Sequence, residues 1–164
     1  MNQKTILIVT VTLVVVILAS TAGCFGLGNF SQVTHMDISP IRDTTRNGII
    51  FHPNLLDKDG WVLKWSNVPV SFDIEIYTIK YTYTGPTGNN RITNKDRLVY
   101  KRTGILLNAL NSESVENIGI FVSYADMDLS QGRGDEHYGL ADITAHLPDG
   151  RIMTSRNVRT DFPS

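Results

Sequence analysis

Ser71-Phe72-Asp73-Ile74-Glu75-Ile76-Tyr77-Thr78-Ile79-Lys80-Tyr81-Thr82-Tyr83 is the stretch that decides the fold class. Phe72, Ile74 and Ile76 alternate with Ser71, Asp73 and Glu75; then Tyr77, Ile79, Tyr81 and Tyr83 alternate with Thr78, Lys80 and Thr82. Successive strand side chains point to opposite faces, so a period of two sets one face dry and the other wet. The apolar parity slips by one between Ile76 and Tyr77. One extra residue in the pairing restores it, which is what a β-bulge supplies; two strands with a bend is the alternative.

The same pattern extends outward in both directions. Upstream, Ile49-Ile50-Phe51 is a short apolar run, and Trp61-Val62-Leu63-Lys64-Trp65 reads as a strand. Asp57-Lys58-Asp59-Gly60 lies between them as a turn, since Asp bonds its own backbone and Gly takes positive φ cheaply. Downstream, Gly85 to Asn90 is a loop, and Leu98-Val99-Tyr100 and Ile105-Leu106-Leu107 are strands around Gly104. Ile118, Ile120, Val122 and Tyr124 alternate, as do Ala141, Ile143, Ala145 and Leu147. Pro148-Asp149-Gly150 turns the chain into Arg151-Ile152-Met153-Thr154, a hairpin signal. Seven to nine short strands at even spacing, with no amphipathic helix between them, predict an all-β fold. The expected form is an antiparallel β-sandwich of immunoglobulin-like architecture over residues 48–164. Its core is expected to hold Trp61, Leu63, Phe72, Ile74, Ile76, Ile79, Ile120, Val122, Ile143 and Leu147. The stretch 25–47, rich in Gly, Ser, Asn and Thr and broken by Pro40, reads as a linker in which Val33, Met36, Ile38 and Ile41 suit a short edge strand.

The chain has 15 basic and 16 acidic residues among 164, scattered rather than striped. That excludes bulk nucleic-acid binding, which needs concentrated positive charge. A single cysteine, Cys24, forms no internal disulfide.

The first residues, Met1-Asn2-Gln3-Lys4, carry one positive charge ahead of an unbroken apolar run from Thr5 to Leu18, followed by Ala19-Ser20-Thr21-Ala22-Gly23-Cys24. A charged start, an apolar middle and a small-residue end are the parts of a secretory signal, and together they predict a hydrophobic helix ahead of the domain. Thr21-Ala22-Gly23-Cys24 resembles the lipobox of prokaryotic membrane lipoproteins, with Thr21 where that pattern usually has an aliphatic residue. The resemblance covers the leader, residues 1–24, and implies that the Cys24 thiol is joined to lipid. An uncut helix is the other reading: no charge occurs between Lys4 and Asp37, and Thr5–Leu27 is long enough to span a bilayer. Either way the domain is expected on the outer side of a cell membrane.

The most charge-dense segment is Asp126-Met127-Asp128-Leu129-Ser130-Gln131-Gly132-Arg133-Gly134-Asp135-Glu136-His137. Asp126, Asp128 and Ser130 place oxygens at alternate positions, as a Ca²⁺ loop does. Gln131 and His137 stand where the helix–loop–helix calcium motif has Gly and Glu, so a solvated loop is the plainer reading. Arg133, Asp135, Glu136 and His137 are the candidate contact residues of this loop. Arg133-Gly134-Asp135 matches the tripeptide that integrins read, and suits a turn equally well. His35, His52, His137 and His146 lack ligand spacing for zinc. Asp73 and Glu75 share a strand face, where paired carboxylates suit acid–base work or simply a wet surface. Trp61 and Trp65 share a parity, which suits the core or a sugar-stacking platform. No Gly-x-Ser-x-Gly elbow and no phosphate-cradling glycine loop occurs. No catalytic residue is assigned, and no cofactor is expected beyond Ca²⁺ at the Asp126 loop. The expectation is a membrane-tethered extracytoplasmic binding or structural module with an envelope protein as partner. An envelope hydrolase and a metal-dependent adhesion domain are the alternatives.

Overall fold

A computed structural model describes residues 30–85, 88–110 and 119–163 of the chain. The leader, Cys24 and the expected hydrophobic helix lie outside them. Among the described residues no helix is long and apolar enough to cross a membrane.

Among the described residues seven strands follow in order: β1 (His35–Asp43), β2 (Gly48–Leu56), β3 (Trp65–Thr84), β4 (Asn90–Leu110), β5 (Ile120–Ser123), β6 (Tyr138–His146) and β7 (Ile152–Asp161). Single turns of 3-10 helix occur at Phe30–Gln32 and Tyr124–Asp126. All strand pairings are antiparallel. β1-β2-β5 form one sheet and β4-β3-β6-β7 the other. The two sheets share one core: Ile38, Ile49, Phe51, Leu55, Ile120 and Val122 from the first meet Val70, Phe72, Ile74, Ile76, Ala141, Ile143 and Ala145 from the second. The all-β, antiparallel reading holds.

β6 and β7 form the hairpin foreseen at Pro148-Asp149-Gly150. Gly150 takes φ +86° and its N–H donates to the Leu147 carbonyl. The turn at Asp57 is also present, with its carboxylate accepting from Asp59 N and Trp61 N. The expected strand at Trp61–Trp65 is not. Only Val62 bridges back to Leu56, and β3 starts at Trp65. Trp61 is therefore not a core residue: it is 74% exposed, whereas Trp65 is 7% exposed. Leu63 only packs against the core from outside, while the other expected core residues are buried.

The irregularity beside Ile76 is a bulge. Ile76 pairs with Tyr100 and Tyr77 with Leu98, so Val99 has no partner on β3. The inward parity, however, runs on from Ile76 to Thr78, so Tyr77 stays on the outer face with Asp73 and Glu75; Ile79 is buried too, but outside the central core and opposite Lys95. β6 accompanies β3 only from Ser71 to Tyr77. Beyond that point β3 and β4 continue alone, from Ile79↔Lys95 to Thr84↔Asn90, as a two-stranded arm.

The folded unit also takes in chain read from composition as linker. β1 pairs with β2 from His35↔Leu56 to Asp43↔Gly48, and Phe30, Val33 and Ile38 are buried.

Candidate functional site

The outer face of the four-stranded sheet carries its polar side chains in rows. Lys101, Glu75 and Asp142 are register partners, as are Asp73, Thr144 and Thr154. Lys101 Nζ lies 2.8 Å from Glu75 Oε1, and Tyr77 Oη donates to Glu75 Oε2 at 2.6 Å. Those two donors hold the Glu75 carboxyl below the usual range, Lys101 contributing most. The same bond pushes the Tyr77 phenol up to about 12.

Asp73 and Asp142 each brace a bulge in a neighbouring strand. Gly104, at φ +68°, donates its N–H to Asp73 Oδ1 at 2.9 Å. Asn157, at φ +58°, donates its N–H to Asp142 Oδ1 at 3.0 Å. The second oxygen of Asp73 lies 2.8 Å from His146 Nε2. That bond, with the Gly104 N–H, holds the Asp73 carboxyl below its ordinary value. Lys95 pairs with the second oxygen of Asp142. A cleft of ≈ 260 Å³ opens over these residues, with Arg156 and threonine hydroxyls at its rim.

Further along the same face, three tyrosines carry three cations. Lys95 Nζ lies 4.9 Å from the Tyr77 ring centroid, Arg91 Cζ 4.2 Å from that of Tyr81, and Arg159 Cζ 4.0 Å from that of Tyr138. Each cation sits over the negative face of a ring, within the range of cation–π attraction. Tyr81 Oη donates to Glu136 Oε1 at 2.9 Å and lies 3.2 Å from Tyr138 Oη. Desolvation, then the Tyr138 and Glu136 bonds, push the Tyr81 phenol upward. Tyr77 and Tyr81 thus remain neutral donors at physiological pH. A second, shallower cleft of ≈ 560 Å³ runs past Lys95, Tyr138, Leu140 and Arg159.

The loop from Asp126 to His137 ties the arm to the body. Val99, the bulged residue, has a carbonyl that accepts from Asp128 N at 2.8 Å. Arg97 donates to the carbonyls of Asp128 at 2.7 Å and Gly132 at 2.9 Å. Gly134 bridges to Ile79, and Asp135 accepts from Tyr81 N at 2.8 Å. The Arg-Gly-Asp tripeptide is therefore tied to β3 through Gly134 and Asp135. Asp128 and Ser130 do come together, but on each other: Ser130 Oγ donates to Asp128 Oδ1 at 2.5 Å, while Arg97 lies 3.3 Å from Oδ2. The Ser130 bonds hold the Asp128 carboxyl low. Asp126 stands exposed at the end of the 3-10 turn. Among the described residues no three His, Cys, Asp or Glu side chains gather as a metal ion requires. Of the four contact candidates, Glu136 joins the tyrosine cluster, Asp135 accepts from the Tyr81 N–H within β3, and Arg133 meets His137 at 3.3 Å.

No family model, curated protein or solved structure matches the chain.

The tyrosine–cation cluster was not foreseen. Its signal is present in Tyr77, Tyr81 and Tyr83 on one strand and Arg91 and Lys95 on the next. Bringing them opposite each other requires the register of β4, which the bulge at Val99 resets. The Asp73–His146 contact joins residues far apart in sequence and has no local signal.

Proposed function

We propose that this chain is a membrane-tethered extracytoplasmic binding module of immunoglobulin-like architecture, which holds an envelope protein partner against the tyrosine–cation face. The architecture is supported by strand order. With β1, β2, β3, β5, β6 and β7 in the roles of A, B, C, E, F and G, the two sheets reproduce A-B-E and C-F-G, with β4 beside C. The tether rests on the leader and on Cys24, read as a lipid-bearing first residue.

The observation that carries the binding reading is the stacking of Arg91, Lys95 and Arg159 on Tyr81, Tyr77 and Tyr138, with Lys95, Tyr138 and Arg159 lining an open cleft. None of the six stabilises the core, and Tyr and Arg are the residue types that dominate binding energy at protein interfaces. Their side chains are already ordered by each other, so little conformational entropy is left to lose on binding. The cluster also lies at the far end of β3 from Phe30, where the chain arrives from its leader, and so faces away from the anchor.

The test is affinity capture from native membranes with the full-length chain. A partner recovered with the wild type should be lost with Tyr81→Ala/Tyr138→Ala, while Cys24→Ser should move the protein out of the membrane fraction. Equal recovery by the double variant would sink this reading. One contact favours a second reading, an envelope hydrolase: the His146–Asp73 bond beside the smaller cleft pairs a base with an orienting carboxylate. Under that reading Asp73→Asn abolishes turnover and leaves capture intact.

A further inference from the structure

We propose that the end of the domain at which the chain enters is itself a membrane-docking surface, with Trp61 and Val62 seated at the boundary between lipid headgroups and acyl chains. The proposal rests on the tether described above, and adds to it a defined orientation of the domain.

Four contacts locate the point of entry. The Phe30 and Trp65 rings lie 5.7 Å apart. Arg151, in the β6–β7 turn, donates to the Val33 carbonyl at 2.6 Å and to that of Phe30. Thr34 N donates to the Leu56 carbonyl at 2.8 Å, directly before the turn that carries Trp61. The β2–β3 and β6–β7 turns therefore flank the entering chain. From Cys24 to Phe30 is six steps of chain, which reach at most about 20 Å when fully extended. A lipid on Cys24, or an uncut helix ending near it, keeps this end of the domain within that distance of the bilayer.

The same end exposes large apolar side chains. Trp61 is 74% exposed, Val62 44% and Ile152 64%. Trp61 is not exposed by slackness. Its backbone N–H donates to Asp57 Oδ1 at 2.9 Å, its carbonyl accepts from Asp57 N at 3.0 Å, and Leu63 N donates to Leu55 O at 2.8 Å. A rigid turn thus holds an indole in the open. Trp is the residue that favours the membrane interface, because its ring is apolar and its N–H finds water or headgroups.

Charges nearby are balanced. Lys58 lies 3.9 Å from Asp59, Arg151 is paired with Asp149, and Lys64 is exposed. Attachment here draws on apolar contact rather than on a basic patch for anionic lipid, so salt should matter little. An apolar surface held this close to a bilayer meets lipid at a high effective concentration, which makes a weak contact persistent. Docking at this end leaves the tyrosine–cation face standing away from the membrane.

The chain has two tryptophans, which makes the test direct. The full-length protein is placed in phosphatidylcholine vesicles brominated high in the acyl chain, and in unbrominated ones. Trp61→Phe isolates the emission of the buried Trp65, and the difference from wild type is Trp61. The expected result is flotation with the vesicles and loss of most of the Trp61 emission on bromination, unchanged by added salt, with Trp65 affected far less. Flotation with undiminished Trp61 emission leaves the tether standing and overturns the docking. Shielding of Trp61 from aqueous iodide without loss to bromine means a second copy or another protein covers it, which also overturns the docking. Failure to float removes the tether and the docking together.

Discussion

Gly134 sits at φ +81°, and a Cβ there would press into the Ile79 carbonyl. Gly132 has a similar backbone, φ +90°, but open space around it. Comparing Gly132→Ala with Gly134→Ala therefore separates backbone strain from collision. The first should cost about 1–2 kcal/mol, the usual penalty of left-handed backbone for a residue with a side chain. The second should cost clearly more, since the bridge from the loop to β3 must also open; urea denaturation of both variants reads the difference. The carboxylates of the outer face make a pH prediction. Asp73 and Glu75 have folded values below their ordinary 3.8 and 4.5, so the folded state binds fewer protons there than the unfolded chain. Their contribution is full above those ordinary values and is lost as pH falls below them. Tyr77 acts in the other direction: raised from 10.0 to about 12, it contributes fully below pH 10 and loses that contribution between 10 and 12. Melting temperature against pH should fall at both limits. Asp73→Asn should flatten the acid limb, and Tyr77→Phe should flatten the alkaline limb and, by taking a donor from Glu75, part of the acid limb as well.

The arm formed by β3 and β4 beyond Tyr77 is held by side-chain and loop contacts instead of a neighbouring strand. A two-stranded ribbon is marginal in water by itself, so its order depends on the Asp126–His137 loop. Arg97 is the main tie, bonding two loop carbonyls and one carboxylate while its own N–H donates to Thr78 Oγ1 at 3.1 Å. Arg97→Ala should raise amide exchange in the arm and loop and leave β6 protected. Equal exchange in both would mean that the arm is held by its own hairpin. Part of this element was legible. The break in apolar alternation after Ile76 does coincide with a bulge, although Tyr77 keeps the outer parity and β3 does not change face there. The extra residue is on β4, at Val99, which no pattern within β3 reveals. The density of charge in the loop was legible too, but its purpose was not: Asp135 and Arg97 bond the backbone of neighbouring elements, and the Asp128 carboxylate holds Ser130 and meets Arg97, through contacts that depend largely on the tertiary fold. Trp61 was misread for a local reason. It shares parity with Trp65, but the Asp57 turn occupies the chain through Trp61, and β3 begins only at Trp65, so parity carries no information across that gap.

At the scale of the whole molecule, the two ends of the sandwich differ in character, one bearing Trp61 beside the entering chain and the other bearing the tyrosines, the arm and the loop. How the chain enters depends on β1, whose membership in the domain was hard to read. Met36 and Ile38 alternate with Asp37 and Ser39 and suit a short edge strand, but the strand buries Ile38 alone, and the Gly, Asn and Thr around it look like linker. The contribution of β1 and the residues that lead into it is nonetheless large. Phe30, Val33 and Ile38 are all buried, at roughly 1.5–3 kcal/mol for each side chain, which together is comparable to the whole net stability of an ordinary domain. β1 also covers one edge of β2 along its full length, leaving β5 to pair on the other side only from Gly48 to Phe51. Removing it would expose the Leu55 end of β2 and leave Arg151 without the two carbonyls it bonds. A chain beginning at Phe30 should therefore melt cooperatively as a β-protein. One beginning at Gly48 should lose its near-ultraviolet circular dichroism and show no cooperative transition at the same temperature. If the shorter chain melts with an unchanged midpoint, β1 adds nothing to the folded unit. The domain would then be free to swing on its tether, and the docked orientation of Trp61 would lose its structural basis.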